Sequence, residues 1–350
     1  MRLRPLALAL LAAFAINCSY HGPTLPLLEE LYQPGAPGAY QPRWPASPAD
    51  ARIVYLGSIS SESGFQGRRT LWSRALAAFR GSQRPRFVRP AGVSLHGTRL
   101  AVADSGARVV HLLDLHGRRW RVVDRSPEGA LGLPVGVAFL PDGRLVVSDS
   151  AQGALWIYDA EGIPLGRFGP ADLQRPTGLV FDPGEARLWV AETAGHRLRA
   201  FDLEGREVAR VGERGLEPGR FNYPTWLAAS SDGGLWVTDA LNFRLQRFDA
   251  SGRLGDHFGT AGDRPGEFAR PRGLAVDDNG RIFAVDALFD SVQIFDASGQ
   301  FLLVFGGRGT EPGRFWLPSD VALDGAGHVF VTDSYNQRVQ IFSYRPPEEP

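Results

Sequence analysis

The chain has 350 residues, with 38 arginines, no lysine and 38 acidic residues, so its formal net charge is zero. A neutral chain has no overall field to attract nucleic acid or an anionic membrane, which argues against both as partners. Its 42 glycines, 26 prolines and 11% aromatic residues favour many turns and strands over helices.

The first 20 residues predict export. Two arginines precede an apolar run from residue 6 to residue 16, which is too short for a permanent membrane span and is typical of a signal peptide over residues 1–17. Cys18, the only cysteine, follows, and this resembles a bacterial lipoprotein signal in which the cysteine is lipidated. Cleavage after Ala15 without lipidation is the alternative. We expect an outer-membrane lipoprotein or a periplasmic or cell-surface protein, without an internal disulfide.

Residues 18–50 are rich in proline and show no periodic pattern of apolar residues. Proline-rich chains favour an extended, semi-rigid conformation, so a linker is predicted here. A lipid on Cys18 would then be the only contact with the membrane, and the linker would hold a domain away from it. Residues 345–350 are predicted as a short disordered tail.

From residue 90 onward the chain repeats one pattern. Each unit reads as strand, turn, alternating strand, polar turn, third strand, turn and apolar fourth strand. Four strands in about 45 residues is the period of a β-propeller blade. The sequence therefore predicts an all-β, six-bladed β-propeller with four-stranded blades. The units begin at Pro90, Pro134, Pro176, Pro224, Pro271 and Pro318.

The repeats resemble those of the NHL-repeat family of six-bladed propellers. F-x-x-P-x-G occurs at 268–273, V-x-D at 331–333 and N-x-R-V-Q-I-F at 336–342. The resemblance covers residues 51–344 and implies the propeller fold. It says little about function, because such propellers include lyases, RNA-binding proteins, sensor domains and scaffolds.

The last unit lacks a fourth strand, whereas residues 51–59 have the pattern of one. The N-terminal strand is therefore predicted to complete the sixth blade and close the ring, which removes unpaired strand edges. An arginine-rich insertion follows at residues 60–86, with a short helix predicted at 70–80. We expect a lid or docking segment on the face that carries the blade-to-blade connections. Its candidate residues are Arg69, Trp72, Arg74, Phe79 and Arg80.

An acid ends the second strand of every unit. A feature shared by all six blades favours a structural role, and arginines four or five residues later in four of the units are expected to pair with these acids. In the other two units we expect hydrogen bonds to the backbone. The acids are Asp104, Asp149, Glu192, Asp239, Asp286 and Asp333.

The positions just after the repeat prolines break the symmetry. The second position is glycine in four units, and Trp226 and Asp320 are the exceptions, while Arg272 is an exception at the first position. Aromatic residues in the loops of units four to six are expected on the same face, where clusters of exposed aromatics mark recognition sites. The alternative is that they pack against neighbouring loops. The ligand-face candidates are Trp226, Asp320, Arg272, Tyr223, Phe243, Phe289, Trp316 and Tyr335.

These features predict a non-enzymatic, envelope-associated binding or scaffold propeller that recognises a protein, peptide or glycan on its loop face. We expect a monomeric domain or a subunit of a complex, without cofactor or metal. The alternative is a metal-dependent lyase or lactonase acting at the propeller channel, with Asp320, Asp333 and Glu192 as ligands. The histidines are scattered along the sequence, whereas a catalytic zinc needs about three protein ligands.

Overall fold

The structure of the protein, a computed structural model, describes residues 41–45, 52–65 and 85–346. The predicted signal peptide, Cys18, most of the predicted linker and the predicted helix at 70–80 lie outside the described residues. Within them, no helix has the length and apolar character needed to cross a membrane.

The described strands form six antiparallel sheets of four or five strands, which confirms the predicted six-bladed all-β propeller. The first two strands, β1 (Arg43–Trp44) and β2 (Ile53–Ile59), belong to blade six. A single helical turn, α1 (Glu62–Phe65), follows β2.

Blades one to three are four-stranded meanders, and a small hairpin, β7 with β8, lies between blades one and two in the chain. The strands are β3 (Pro90–His96), β4 (Arg99–Asp104), β5 (Val109–Asp114) and β6 (Arg119–Val123) in blade one; β7 (Arg125–Ser126) and β8 (Gly129–Ala130) in the hairpin; β9 (Pro134–Phe139), β10 (Leu145–Asp149), β11 (Ala154–Tyr158) and β12 (Pro164–Phe168) in blade two; and β13 (Pro176–Asp182), β14 (Arg187–Glu192), β15 (Arg197–Phe201) and β16 (Glu207–Val211) in blade three.

Blades four and five repeat the meander, and blade six takes its outer strands from the N-terminal side of the chain. The strands are β17 (Pro224–Ala229), β18 (Leu235–Asp239), the 3-10 turn η1 (Ala240–Asn242), β19 (Arg244–Phe248) and β20 (Leu254–Phe258) in blade four; β21 (Pro271–Val276), β22 (Ile282–Asp286), β23 (Ser291–Phe295) and β24 (Phe301–Gly306) in blade five; and β25 (Pro318–Leu323), β26 (His328–Asp333) and β27 (Arg338–Tyr344) in blade six.

The N-terminal strand closes the ring as predicted. Strand β2 pairs antiparallel with β27, from Ile53 opposite Tyr344 to Ile59 opposite Val339. The outer edge of β2 is covered in turn by β1, so blade six has five strands.

The addition of β1 differs from the linker predicted through residue 50. The ring of Trp44 lies 5.8 Å from Phe305 and 6.0 Å from Phe342, between blades five and six. Burial of this aromatic surface favours an ordered strand within a proline-rich segment.

The hydrophobic core lies between neighbouring blades rather than in one central mass. Residues of blade one such as Val110 pack with Val137 and Trp156 of blade two in one cluster. The phenylalanines of the F-x-x-P pattern are fully buried, and Phe221 packs on the glycine that ends the preceding blade. A Cβ on Gly212, whose φ is 87°, would lie 2.3 Å from the Phe221 ring, so both shape and backbone require glycine there.

The first strand of every blade lines a central channel. A cavity of about 260 Å3 lies between β3, β9, β13, β17, β21 and β25. The residues after the repeat prolines therefore lie at the end of the channel where the first strands begin.

Candidate functional site

The six acids at the ends of the second strands are fully paired within their own blades. In blade four, Asp239 accepts hydrogen bonds from Asn222 N (2.6 Å) and Arg244 Nε (2.9 Å). Blade six repeats this arrangement with Trp316 N and Arg338, and blade three pairs Glu192 with Arg197. These contacts fasten the loop after the second strand to the chain that enters the blade.

The acids of blades two and five, which lack the arginine, accept backbone N–H groups as expected. Asp149 accepts from Gly132 and Leu133, and Asp286 accepts from Ala269 and Arg270. The repeated acids are structural groups, since their hydrogen bonds hold each blade to its own loops.

In blade one the expected pair between Arg108 and Asp104 is not observed among the described residues. Arg108 has a left-handed backbone (φ 57°), and Asp104 accepts hydrogen bonds from Val88 N and Arg89 N instead. The Nε2 atom of His111 lies 3.4 Å from Asp104 Oδ2. An arginine four rather than five residues after the acid thus does not reach it.

Glycines at the second position after the proline mark the narrowest part of the ring. A Cβ on Gly136 would lie 2.1 Å from the carbonyl oxygen of Thr177 in the next blade, and a Cβ on Gly92 would lie 2.4 Å from the Val135 oxygen. Neighbouring inner strands are therefore in backbone contact, which explains why four of the units have glycine at this position.

Trp226 replaces one of these glycines and lines the channel. Only 4% of its surface is exposed, and the hydrophobic cluster that contains it is in contact with Val135 of blade two. The guanidinium of Arg272 lies 4.9 Å from the centre of its ring, and Asp320 of blade six lies beside it. Residues from blades two, four, five and six thus meet at this point.

Asp320, the other exception, joins blade six to blade one. Its Oδ2 accepts a hydrogen bond from Val93 N at 2.9 Å, and its Oδ1 accepts one from Val321 N at 2.9 Å. The side chain is 6% exposed, and burial raises the pKa of its carboxyl to about 7, although the hydrogen bonds and Arg272 oppose the rise.

Arg272 lies over the Trp226 indole at the mouth of the channel. Its Nε is buried and has no hydrogen-bond partner among the described residues. Burial lowers the pKa of its guanidinium to about 10, Arg270 lowers it further, and Asp320 opposes the shift. The hydroxyls of Thr225 and Ser319, at the same repeat position in blades four and six, are likewise buried and unpartnered in the described residues.

The loop aromatics divide into packed and exposed residues. Tyr223 packs edge-to-face against His196 with 4.5 Å between ring centres, and Phe243 and Phe289 are partly buried, so these three fit the packing alternative in part. Trp316 and Tyr335 are 41% and 45% exposed, with ring centres 5.7 Å apart.

Three exposed aliphatic residues on this face were not among the predicted candidates. Leu241 and Leu288 lie two residues after the acids of their blades, as Tyr335 does in blade six. Val88 lies two residues before its proline, as Trp316 does. An alignment of the repeats could have identified these residues, because blades two and three have no large apolar residue at either of the two positions. We name the set the apolar arc, formed by Val88, Leu241, Leu288, Trp316 and Tyr335.

The predicted metal ligands do not form a common site. No group of three or more His, Cys, Asp or Glu side chains within the described residues could hold a metal ion. Asp333 and Glu192 are engaged by arginines in separate blades, and Asp320 is bonded to the backbone at the channel.

The predicted lid or docking residues fall outside the described part of the chain, so their role stays a prediction. The residues on either side of this segment are described and bonded to each other: Glu62 N donates to the Pro85 oxygen, and Phe87 N donates to the Ser60 oxygen. Both ends therefore lie together where the chain enters blade one. The residues outside are Arg69, Trp72, Arg74, Phe79 and Arg80.

Comparison with known proteins supports the repeat and the fold. The NHL repeat profile matches residues 315–342, which span the end of the last blade-to-blade connection and most of blade six. A comparison with curated protein sequences finds no significant match.

Similar solved structures share the propeller at low sequence identity. Virginiamycin B lyase from Staphylococcus aureus is 14% identical, with a TM-score of 0.56, over 74% of this chain and 96% of its own. A gluconolactonase from Xanthomonas campestris is 18% identical, with a TM-score of 0.57, over 88% and 100% of the two chains. A chain of a nidogen–laminin complex is 17% identical, with a TM-score of 0.53, over 67% and 87%.

At these identities the likeness concerns the fold, and these propellers include enzymes as well as a member of a protein complex. The repeat match, the six sheets and the closure by β2 agree with one another. The chain is therefore a six-bladed β-propeller with an NHL repeat in blade six.

Proposed function

We propose that this propeller is a non-enzymatic binding module that recognises a protein or peptide partner on its loop face. The observation that carries the proposal is the apolar arc. Of two equivalent loop positions, blades one, four and five have a large exposed apolar side chain at one and blade six at both, whereas blades two and three have alanine, glycine or glutamine at both. An exposed apolar cluster confined to one sector of a face is typical of an interaction surface.

The chemistry of the arc favours a partner with apolar side chains and acidic groups. Trp316 and Tyr335 offer wide aromatic surfaces, which are frequent among residues that dominate binding energy. The guanidinium of Arg89 lies 5.2 Å from the Tyr335 ring centre and is exposed, so positive charge borders the aromatic pair. A peptide with aliphatic or aromatic residues next to a carboxylate would complement both.

The test combines site-specific crosslinking with a measured affinity. A photo-crosslinking residue at position 335 captures the partner from an envelope extract, and the purified partner is then titrated against the propeller. We expect the combined Trp316→Ala and Tyr335→Ala substitutions to weaken binding about tenfold or more. The matched control is Ile163→Ala, because Ile163 is an exposed apolar residue in the turn that joins the third and fourth strands of blade two.

Two results would contradict the proposal. One is equal affinity of the double variant and the wild type. The other is a crosslink from position 335 to residues 66–84 of the same chain, which would assign the arc to this chain's own insertion.

We further propose that the module works at a bacterial cell envelope, attached through lipidated Cys18. The support is the sequence of the first 20 residues, with its apolar run and single cysteine. Labelling of growing cells with a fatty-acid analogue is expected to mark the wild-type protein and not the Cys18→Ser variant. A Cys18→Ser variant that is still labelled would contradict the lipid anchor.

A further inference from the structure

The mouth of the central channel contains more positive charge than its surroundings neutralise. Arg272 extends over Trp226 at the centre, and its only acidic neighbour of note, Asp320, has both carboxylate oxygens occupied by backbone N–H groups. No ion pair joins Arg272 to an acid among the described residues, although a guanidinium in such surroundings normally has one.

Three further arginines lie around this centre. They occupy the position just before the repeat proline in blades one, three and five, and all three are exposed. Arg270 and Arg175 are near enough to lower the pKa of Arg272, and no described side chain forms an ion pair with either. The three are Arg89, Arg175 and Arg270.

Buried hydroxyls occupy the position equivalent to Arg272 in the two neighbouring blades. Thr225 precedes it by one blade and Ser319 follows it by one blade, at the same repeat position. Ser319 is 3% exposed, and the hydroxyls of both residues lack a partner among the described residues. In blade three the equivalent Thr177 hydroxyl donates to the Thr225 carbonyl at 2.8 Å, so a threonine here can be satisfied by protein alone. At the position just after the repeat proline, the unpartnered groups of the described residues are those of blades four, five and six.

We propose that the channel mouth binds a small oxyanion, such as a carboxylate, phosphate or sulfate group, against Arg272 and the hydroxyls of Thr225 and Ser319. The planar guanidinium donates through Nε and Nη in a fork that matches two oxygens of such an anion. Trp226 covers one face of the guanidinium and leaves its edge for the ligand. The outer arginines attract the anion and exclude cations.

This site adjoins the apolar arc, because Arg89 lies over Tyr335 and also borders the channel mouth. The groups proposed to contact the anion are Arg272, Thr225 and Ser319, none of which belongs to the arc. Anion binding and partner binding are measured separately, through substitutions at different residues.

Isothermal titration at constant ionic strength tests the proposal. Sodium phosphate, sodium sulfate and sodium citrate are titrated separately into the wild-type protein, with sodium chloride as the balancing salt. We expect one-to-one saturable binding of at least one oxyanion, and the three arms show which chemistry is preferred. Arg272→Gln is expected to weaken that binding about tenfold or more, since it removes a charged hydrogen-bond donor.

The matched control is Arg253→Gln, which removes an exposed arginine from the opposite face and should change the affinity less than about twofold. Circular dichroism establishes that each variant is folded. Should Arg272→Gln not fold, the combined Thr225→Val and Ser319→Ala variant takes its place, with an expected loss of about threefold or more. Absence of saturable binding in all three arms, or wild-type affinity in the mouth variants, overturns the proposal.

Discussion

The acids at the ends of the second strands and the residues at the channel mouth differ in how their polar groups are paired. Asp239 and its equivalents occur in every blade, and each accepts several hydrogen bonds from its own blade. At the mouth, the residue after the proline differs between blades, and Arg272, Thr225 and Ser319 each have a buried polar atom without a partner among the described residues. The acids shared by all blades are satisfied by protein groups, whereas these three residues have polar atoms that are not.

The largest effect is expected where a repeated acid is removed. Asp239→Ala leaves the buried Arg244 guanidinium without its counter-charge, so we expect the free energy of unfolding to fall by about 3–5 kcal/mol. Denaturant unfolding measures this change. Glu185→Ala, an exposed acid, is the control and should change stability by less than about 0.5 kcal/mol. Equal stability of the two variants would show that the acids are dispensable to the fold.

The next effect concerns pH and the channel mouth. The pKa of Asp320 is about 7 in the folded protein and 3.8 is its ordinary value, so the folded state binds the proton more tightly. Stability from this group is present at low pH and is lost as pH rises from about 4 to about 7. Asp320→Asn removes this dependence. We therefore expect the unfolding free energy of Asp320→Asn, relative to that of the wild type, to rise by about 2–4 kcal/mol between pH 4.5 and pH 8.

Denaturant unfolding of both proteins at the two pH values checks this shift. Asp249→Asn is the comparison, because a hydrogen bond from the Ser251 hydroxyl lowers the pKa of Asp249, opposite to the shift of Asp320. A constant difference between wild type and Asp320→Asn across the range would mean that the carboxyl is ionised throughout.

A smaller effect is expected for the strand found only in blade six. Trp44→Ala removes the aromatic surface that β1 packs on Phe305 and Phe342, at a cost of about 1–2 kcal/mol. Thermal and denaturant unfolding of the wild type and Trp44→Ala measure this loss of stability. A loss below about 0.5 kcal/mol would mean that β1 adds nothing to the blade.

The smallest effect on stability is expected in the apolar arc. Trp316→Ala and Tyr335→Ala change exposed side chains, so each should alter the unfolding free energy by less than about 0.5 kcal/mol. Trp316→Ala thereby also serves as the tryptophan control for Trp44→Ala. Large destabilisation would identify these rings as part of the fold rather than as a binding surface.

Much of the fold could be predicted because it repeats. The spacing of the prolines defined six blades, and the pattern of residues 51–59 identified the strand that closes the ring. The role of the acids was also predictable, since one hydrogen-bonding arrangement had to serve every blade. The exception is blade one, where the arginine follows the acid by four residues, at the position that is left-handed in every blade, and does not pair with Asp104.

The site was only partly predictable, because sequence position gives the level of a residue along the channel but not the direction of its side chain. The ligand-face role predicted for Trp226 and Asp320 stays a prediction, since Trp226 is buried and Asp320 is bonded to the neighbouring blade. The unpartnered hydroxyls of Thr225 and Ser319 depend on distances between blades. Trp44 was missed because its ring packs on Phe305 and Phe342, which are far from it in the sequence.

The pairing of β2 with β27 also determines the order in which the molecule can be completed. Ile53 and Tyr344 are about 290 residues apart in the chain, so joining them costs roughly 5 kcal/mol of loop entropy, against roughly 1.4 kcal/mol for a hairpin of five residues. During synthesis β2 leaves the ribosome early and must wait for its partner, while blades one to five can form from local contacts. Once closed, the ring ties the earliest strands of the propeller to the latest, so that neither end can unravel alone.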